Sequence, residues 1–320
     1  MASTGALPTS KHFRLEQLTD GVYAAIAIPG TGSASNAGII DLGNRTLVFD
    51  TFQTPQAAAD LRAAAEHLLN RPIAYVIDSH WHADHIQGNQ AFALETPIIA
   101  TSRTRELIAT SGAETMAEIK TQAPASLQEL EGQLAQAHDE QQRAALALQI
   151  GEARELAACA PTLALRLPEQ TIDQRIVFHG SRRAVELLTY GGGHTESDAF
   201  LVLPGEKLAF MGDLLFVQSH LWMGHGNPQE WLRILGQVAE IDLKTVVPGH
   251  GPIGTPEDFT AAAHYIKAIQ QIAGDALKSG KSAEQAQATP IPAPFEAWAW
   301  REGYAANIQA LYEQLAKTGA

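Results

Sequence analysis

Within six residues, His80-Trp81-His82-Ala83-Asp84-His85, the chain offers three imidazoles and one carboxylate. All four side chains can ligate a metal ion. Four donors this close exceed what one tetrahedral catalytic zinc with an open position requires. The spacing suits a pair of ions, with His80 and His82 on one while Asp84 and His85 turn toward a second. Twelve histidines in 320 residues is only mildly high, so composition alone does not produce so tight a cluster. The preceding Ile73-Ala74-Tyr75-Val76-Ile77 reads as a short buried strand, and Ile86-Gln87-Gly88-Asn89 breaks that pattern. The donors are therefore expected in the loop leaving the carboxyl end of a strand, where open α/β sheets place their sites.

Three further donors follow, each after a strand-like stretch and each beside glycine. His194 ends Gly191-Gly192-Gly193-His194, Asp213 ends Phe210-Met211-Gly212-Asp213, and His250 lies in Val247-Pro248-Gly249-His250-Gly251. The HxHxDH run with these three residues in this order resembles the signature of the metallo-β-lactamase superfamily. The resemblance covers about residues 13 to 260. It implies a four-layer αββα sandwich of mixed α/β class. A helical insertion over 102–168, read from composition, is expected to interrupt it, and C-terminal helices over 261–320 are expected to pack on the same domain.

The resemblance also implies the division of labour. His80, His82 and His194 would hold one ion, and Asp84, His85 and His250 the other, with Asp213 bridging them. Imidazole and carboxylate suit two zinc ions per chain, though iron or manganese is also accommodated. Two ions ~3.5–4 Å apart can share a hydroxide, because metal binding lowers the pKa of water from ~15.7 toward ~7. That nucleophile would attack a carbonyl carbon, with Asp84 beside the water as proton acceptor and Asp213 as the bridging carboxylate. The expected activity is thus zinc-dependent hydrolysis of a lactone, ester, thioester or β-lactam.

Asp213 stands where, or near where, some β-lactamases of this group carry a cysteine ligand, and so favours the thioesterase, lactonase and phosphodiesterase branches. His82 stands where the flavin-linked di-iron branch has a carboxylate. Two alternatives remain open: a persulfide dioxygenase with one iron at the three-histidine site, and a metal-binding assembly protein without turnover. A structural zinc site is usually closed by four protein ligands, which counts against the second.

Positioning these donors requires strands and helices in a set order. Hairpins are expected around Asp20-Gly21 and Gly43-Asn44. Thr54-Pro55 begins a helix whose Leu61, Ala64, Ala65, Leu68 and Leu69 share a face. Asp50 ends a strand, and two readings stay open for it. The resemblance implies a carboxylate orienting a ligand histidine from behind, and the other reading is a solvated aspartate. Hairpin strands at Asp198–Leu203 and Lys207–Met211 deliver Asp213. The aromatic loop 214–226, with Phe216, His220, Trp222 and His225, either contacts substrate or fills core. Asn227-Pro228-Gln229-Glu230 starts a helix.

The segment 102–168 is rich in Ala, Glu, Gln and Leu. Ser126 is expected to cap a helix in which Leu127, Leu130, Leu134, Ala137, Gln141, Ala144 and Leu148 form a heptad stripe. A lid, a homodimer interface and an internal helical hairpin are the three readings, the hairpin favoured. Cys159 lies here as a buried small hydrophobe. Trp298, Trp300, Tyr304, Ile308 and Leu311 are expected on one docking face of the last helix.

Composition sets the outer bounds. A net charge of −13 opposes nucleic-acid binding, which needs a basic surface, and leaves a small-molecule substrate as the expected partner. No apolar run approaches membrane-span length, and Met1 to Pro8 lacks the basic and apolar regions of a secretion signal. One cysteine fits a reducing cytoplasm.

Overall fold

The computed structural model describes residues 6–318. The strands form two sheets, and the chain divides into two compact units, Met1–Leu187 and Leu188–Ala320. The first unit opens with β1 (Phe13–Thr19), β2 (Val22–Ala27), β3 (Ala37–Asp41) and β4 (Thr46–Phe49), an antiparallel meander. Its turns fall at the two expected positions. α1 (Pro55–Leu69) follows, with Thr54 Oγ1 accepting the Ala57 N–H at its N-cap and Asn70 left-handed at its C-cap. Such an N-cap is worth about 1 kcal/mol. The apolar face Ala57, Ala58, Leu61, Ala64 and Ala65 packs into one core with Phe13, Ile39, Val48, Phe52 and Val76.

After α1 the sheet becomes parallel: β5 (Ile73–Ile77) lies beside β4, β6 (Ile98–Thr101) beside β5, and β7 (Gln170–Ile172) beside β6. Between β5 and β6 lies α2 (Ala83–Ile86), which gives the donor loop a single helical turn that the sequence reading did not contain. Parallel neighbours need a long crossover, and residues 102–168 are the crossover between β6 and β7. It consists of α3 (Ser102–Leu107), a π-helical turn, α4 (Ala113–Gln136) and α5 (Glu140–Cys159).

The heptad expectation is corrected here. Ser126 sits inside α4 rather than at a cap, and the stripe breaks at Ala137, whose backbone is extended. Asp139 starts a new helix by accepting the Gln142 N–H at 2.8 Å. The Arg143 guanidinium donates to the Leu134 and Ala137 carbonyls and closes the end of α4. Beyond the break the buried positions shift to Leu146, Ile150 and Ala153, leaving Leu148 51% exposed. α4 and α5 pack on each other as a helical hairpin. Arg166, just after it, donates to the carbonyls of Phe92, Ala93 and Thr96 and braces the segment following the donor loop. The unit closes with β8 (Arg175–His179) and most of β9 (Ala184–Thr189).

In the second unit β10 (Ala199–Leu203) pairs antiparallel with β11 (Leu208–Phe210), and β12 (Thr245–Val247) lies parallel to β11. α6 (Pro228–Ala239) begins at Asn227, whose Oδ1 accepts from Gln229 and Glu230. Its Trp231, Ile234, Leu235 and Val238 recur at helical spacing and are buried. α7 (Glu257–Lys278), α8 (Ala283–Gln287) and α9 (Glu302–Thr318) complete the chain. Phe259, Tyr265, Ile269, Tyr304, Ile308 and Leu311 share one core with β10, β11, β12 and α6. Trp298 and Trp300 precede α9 rather than lying on it, so the expected five-residue helical face is not formed. Tyr304, Ile308 and Leu311 face inward, while Trp300 is 38% exposed. No helix among the described residues is long and apolar enough to cross a membrane.

Candidate metal centre

In the first unit the donors lie where β5 runs out. His80 and His82 present ligand nitrogens within 4.8 Å of each other, their rings 4.7 Å apart edge to face. Trp81 between them packs in a cluster with Ile86, Leu107 and Ile108 and lies edge-on to the His82 ring, centroids 4.6 Å apart. Asp84 and His85 sit on α2, with Asp84 Oδ2 3.5 Å from His85 Nε2.

Asp50 organises this group from behind. Its left-handed backbone, φ 59°, is uncommon for a residue with a side chain, though aspartate tolerates it better than most. That turn aims a fully buried carboxylate at the donor loop. Oδ1 accepts the Ser79 N–H at 2.8 Å, and Oδ2 accepts His85 Nδ1 at 2.8 Å and the Ser79 hydroxyl at 2.9 Å. Because the Ser79 proton goes to Asp50, the Ser79 oxygen is left to accept from His80 Nδ1, 2.9 Å away. One carboxylate thus assigns Nδ1–H to His85 directly and to His80 through Ser79, and both Nε2 lone pairs become available for a cation. Burial raises the Asp50 pKa, and His85 and Ser79 counter that rise. Asp78, also buried, accepts from Asn89 Nδ2 at 2.9 Å, and burial holds its pKa well above the usual carboxylate range. Ser35 Oγ ties the donor loop at the Asp84 carbonyl, 2.6 Å away.

In the second unit His194, Asp213 and His250 come together. The His194 loop is nested on Asp198, which accepts from the backbone N–H groups of Gly193, His194 and Thr195 and from the Thr195 hydroxyl. His194 Nδ1 donates to the Trp222 carbonyl at 3.0 Å, so its Nε2 carries the lone pair. That Nε2 is 3.2 Å from Asp213 Oδ2, while Asp213 Oδ1 is 3.3 Å from His250 Nε2. Two glycines permit this. Gly212 has φ 51°, and a Cβ on Gly249 would overlap Asp213 Oδ1. The His250 ring stacks on Phe216 at 4.8 Å.

These separations fit a metal ion. With zinc–nitrogen bonds of ~2.0–2.1 Å, the edge of a ligand tetrahedron is roughly 3.3–3.4 Å. The donor pairs stand at 3.2, 3.3 and 3.5 Å. With Nδ1–H engaged by Asp50 or the Trp222 carbonyl, neutral His85 and His194 have only an Nε2 lone pair to offer the facing carboxylate, so a proton or a metal cation must lie between the two. The solvated reading of Asp50 is excluded, since its carboxylate is fully buried and accepts from Ser79 and His85. Asp198 and the Trp222 carbonyl were missed from sequence, since one acts on backbone and the other is backbone.

A family model described as the metallo-β-lactamase superfamily matches residues 30–250. No curated protein matches the chain. Among solved structures, a metallo-β-lactamase from Pontibacter korlensis superposes with TM-score 0.59 at 16% identity, covering 80% of this chain and 99% of that one. A metallo-β-lactamase from Hirschia baltica gives 0.58 at 18%, covering 80% and 98%. A metallo-β-lactamase from Pseudomonas aeruginosa in a mono-zinc form gives 0.55 at 17%, covering 82% and 98%. At such identities the structures speak to fold, and the fold is the mixed α/β sandwich expected from the motifs. With a family match over more than two thirds of its length and donors of the matching chemistry, the chain belongs to the metallo-β-lactamase superfamily.

Proposed function

We propose that the two donor sets close on one two-ion centre and that the protein is a zinc-dependent hydrolase of a carbonyl substrate: a lactone, ester, thioester or β-lactam. His80, His82 and His194 would hold one ion, Asp84, His85 and His250 the other, and Asp213 would offer an oxygen to each. The observation that carries this reading is the Asp213 carboxylate, which turns one oxygen to His194 and the other to His250. A carboxylate so placed has an oxygen for each of two cations and lowers their mutual repulsion.

When bound, a pair of divalent ions supplies a water acidified from ~15.7 toward ~7 and a positive charge for a carbonyl oxygen. The protein supplies the rest. Asp50 and the Trp222 carbonyl hold three imidazoles in one tautomer, and Asp84 accepts the proton of the attacking water. Cys159 takes no part: burial pushes its thiol up to about 11, so it is not a nucleophile at neutral pH. The mono-zinc form of one similar structure supports zinc as the metal. The single buried cysteine accords with a cytoplasmic setting. The test is a panel of lactone, ester, thioester and β-lactam substrates with zinc-loaded protein. Chelator-sensitive turnover of at least one class is expected, and none across the panel would overturn the assignment.

A further inference from the structure

The carbonyl that holds His194 belongs to a loop gripped by residues beyond the 30–250 family match. Asn307, fully buried on α9, reaches both neighbours of Trp222. Its Oδ1 accepts the Met223 N–H at 2.8 Å and its Nδ2 donates to the Leu221 carbonyl at 2.5 Å. A carboxamide engaged on both sides does for residues 221–223 what a neighbouring β-strand would do. Nδ2 also meets the Tyr265 hydroxyl at 3.1 Å, and that hydroxyl lies 3.0 Å from His220 Nδ1. One step upstream, Ala299 N–H donates to the Gln218 carbonyl and His220 N–H to the Ala299 carbonyl. Residues 218–223 are therefore fastened along one edge to the C-terminal segment. Within that stretch the Trp222 carbonyl turns instead to His194 Nδ1.

We infer that Asn307 is a positioning residue for His194. It fixes the peptide whose carbonyl takes the Nδ1 proton, and so keeps the His194 Nε2 lone pair aimed at a metal. The inference rests on the reading of His194 as a ligand. A purely structural role would have Asn307 stabilise the fold and leave the donor properties of His194 alone. The two roles separate by spectroscopy on cobalt-substituted protein, where the exchangeable imidazole N–H protons of ligand histidines appear as paramagnetically shifted signals. The His194 signal is identified by its loss in His194→Gln.

In Asn307→Ala we expect the His194 N–H signal to exchange into solvent and metal affinity to fall about tenfold, the lower end of what loss of an outer-shell partner costs. The His80 and His85 signals should persist. Should Asn307→Ala fail to fold, Asn307→Asp decides, because it keeps the acceptor for the Met223 N–H and removes the amide donor to the Leu221 carbonyl. There we expect faster exchange of the same signal and a smaller loss of affinity. Unchanged exchange and affinity in the folded variant overturn the inference alone. Wild-type protein that binds no cobalt overturns the inference together with the two-ion reading.

Discussion

Asp50 Oδ2 lies 2.8 Å from His85 Nδ1, both side chains fully buried, and that contact determines which nitrogen of His85 can bind a metal. Through Ser79 the same oxygen governs His80 as well. Asp50→Ala should therefore disturb two ligands at once. A loss of 10–100-fold in metal affinity is expected, the range for outer-shell partners of ligating histidines. Competition with a chromophoric chelator measures it. An affinity within twofold of wild type would show that Asp50 does not orient the donors.

Gly249→Ala tests the second unit. A Cβ at this position would overlap Asp213 Oδ1 and come within 2.8 Å of the Gly212 backbone, so the Asp213 carboxylate and its turn must shift. Turnover should drop at least tenfold, an expected cost for misplacing a catalytic group by about 1 Å. Circular dichroism should show the fold retained. Full activity in a folded variant would mean that the Asp213 position tolerates displacement.

The reach of sequence reading is visible in these residues. The seven candidate ligands stood out in sequence because they lie in short motifs, one cluster of donors and three glycine-flanked residues, each motif following a strand-like stretch. Asp50 was legible only as one of two readings, since burial and a left-handed turn are tertiary facts. The heptad stripe failed at Ala137 because Asp139 starts a new helix and Arg143 closes the old one, and local capping outweighed leucine spacing. β6 and β7 escaped notice because β6 runs without a break into α3 at Ser102, and β7 exposes Gln170 and Thr171 and so lacks an apolar pattern. The support of His194 from Trp222 and Asn307 runs through backbone carbonyls and a residue 113 positions away in sequence (307 − 194), which no local pattern encodes.

His220 gives the protein an acid limit. It is fully buried among Tyr265, Trp298 and Tyr304, and its Nε2 has no hydrogen-bond partner among the described residues. Burial, helped by Arg301, lowers its pKa from 6.5 to about 4. Between those values the unfolded chain binds a proton that the folded chain refuses. The stability tied to His220 is thus complete above pH 6.5 and falls as pH drops toward about 4. Urea midpoints of wild type and His220→Gln at pH 7 and pH 4.5 measure it, the other histidines being common to both. The variant should lose less stability on acidification than wild type, and equal losses would contradict the burial argument.

Removing metal should cost stability as well as activity, because ions that bind only the folded chain stabilise it by mass action. The contribution is about 4 kcal/mol when free metal exceeds its Kd a thousandfold. Chelation should lower Tm by several degrees, and zinc should restore it. A Tm indifferent to chelator and zinc would contradict metal binding by the folded protein.

The central claim is that Asp213 bridges two ions, and metal content per chain tests it most directly. Zinc-loaded wild type should carry two ions by elemental analysis. Asp213→Ala should carry one, retained at the three-histidine site, because the carboxylate that offsets repulsion between the cations is gone. A wild type with one ion or none, or an Asp213→Ala variant that still holds two, would contradict the account.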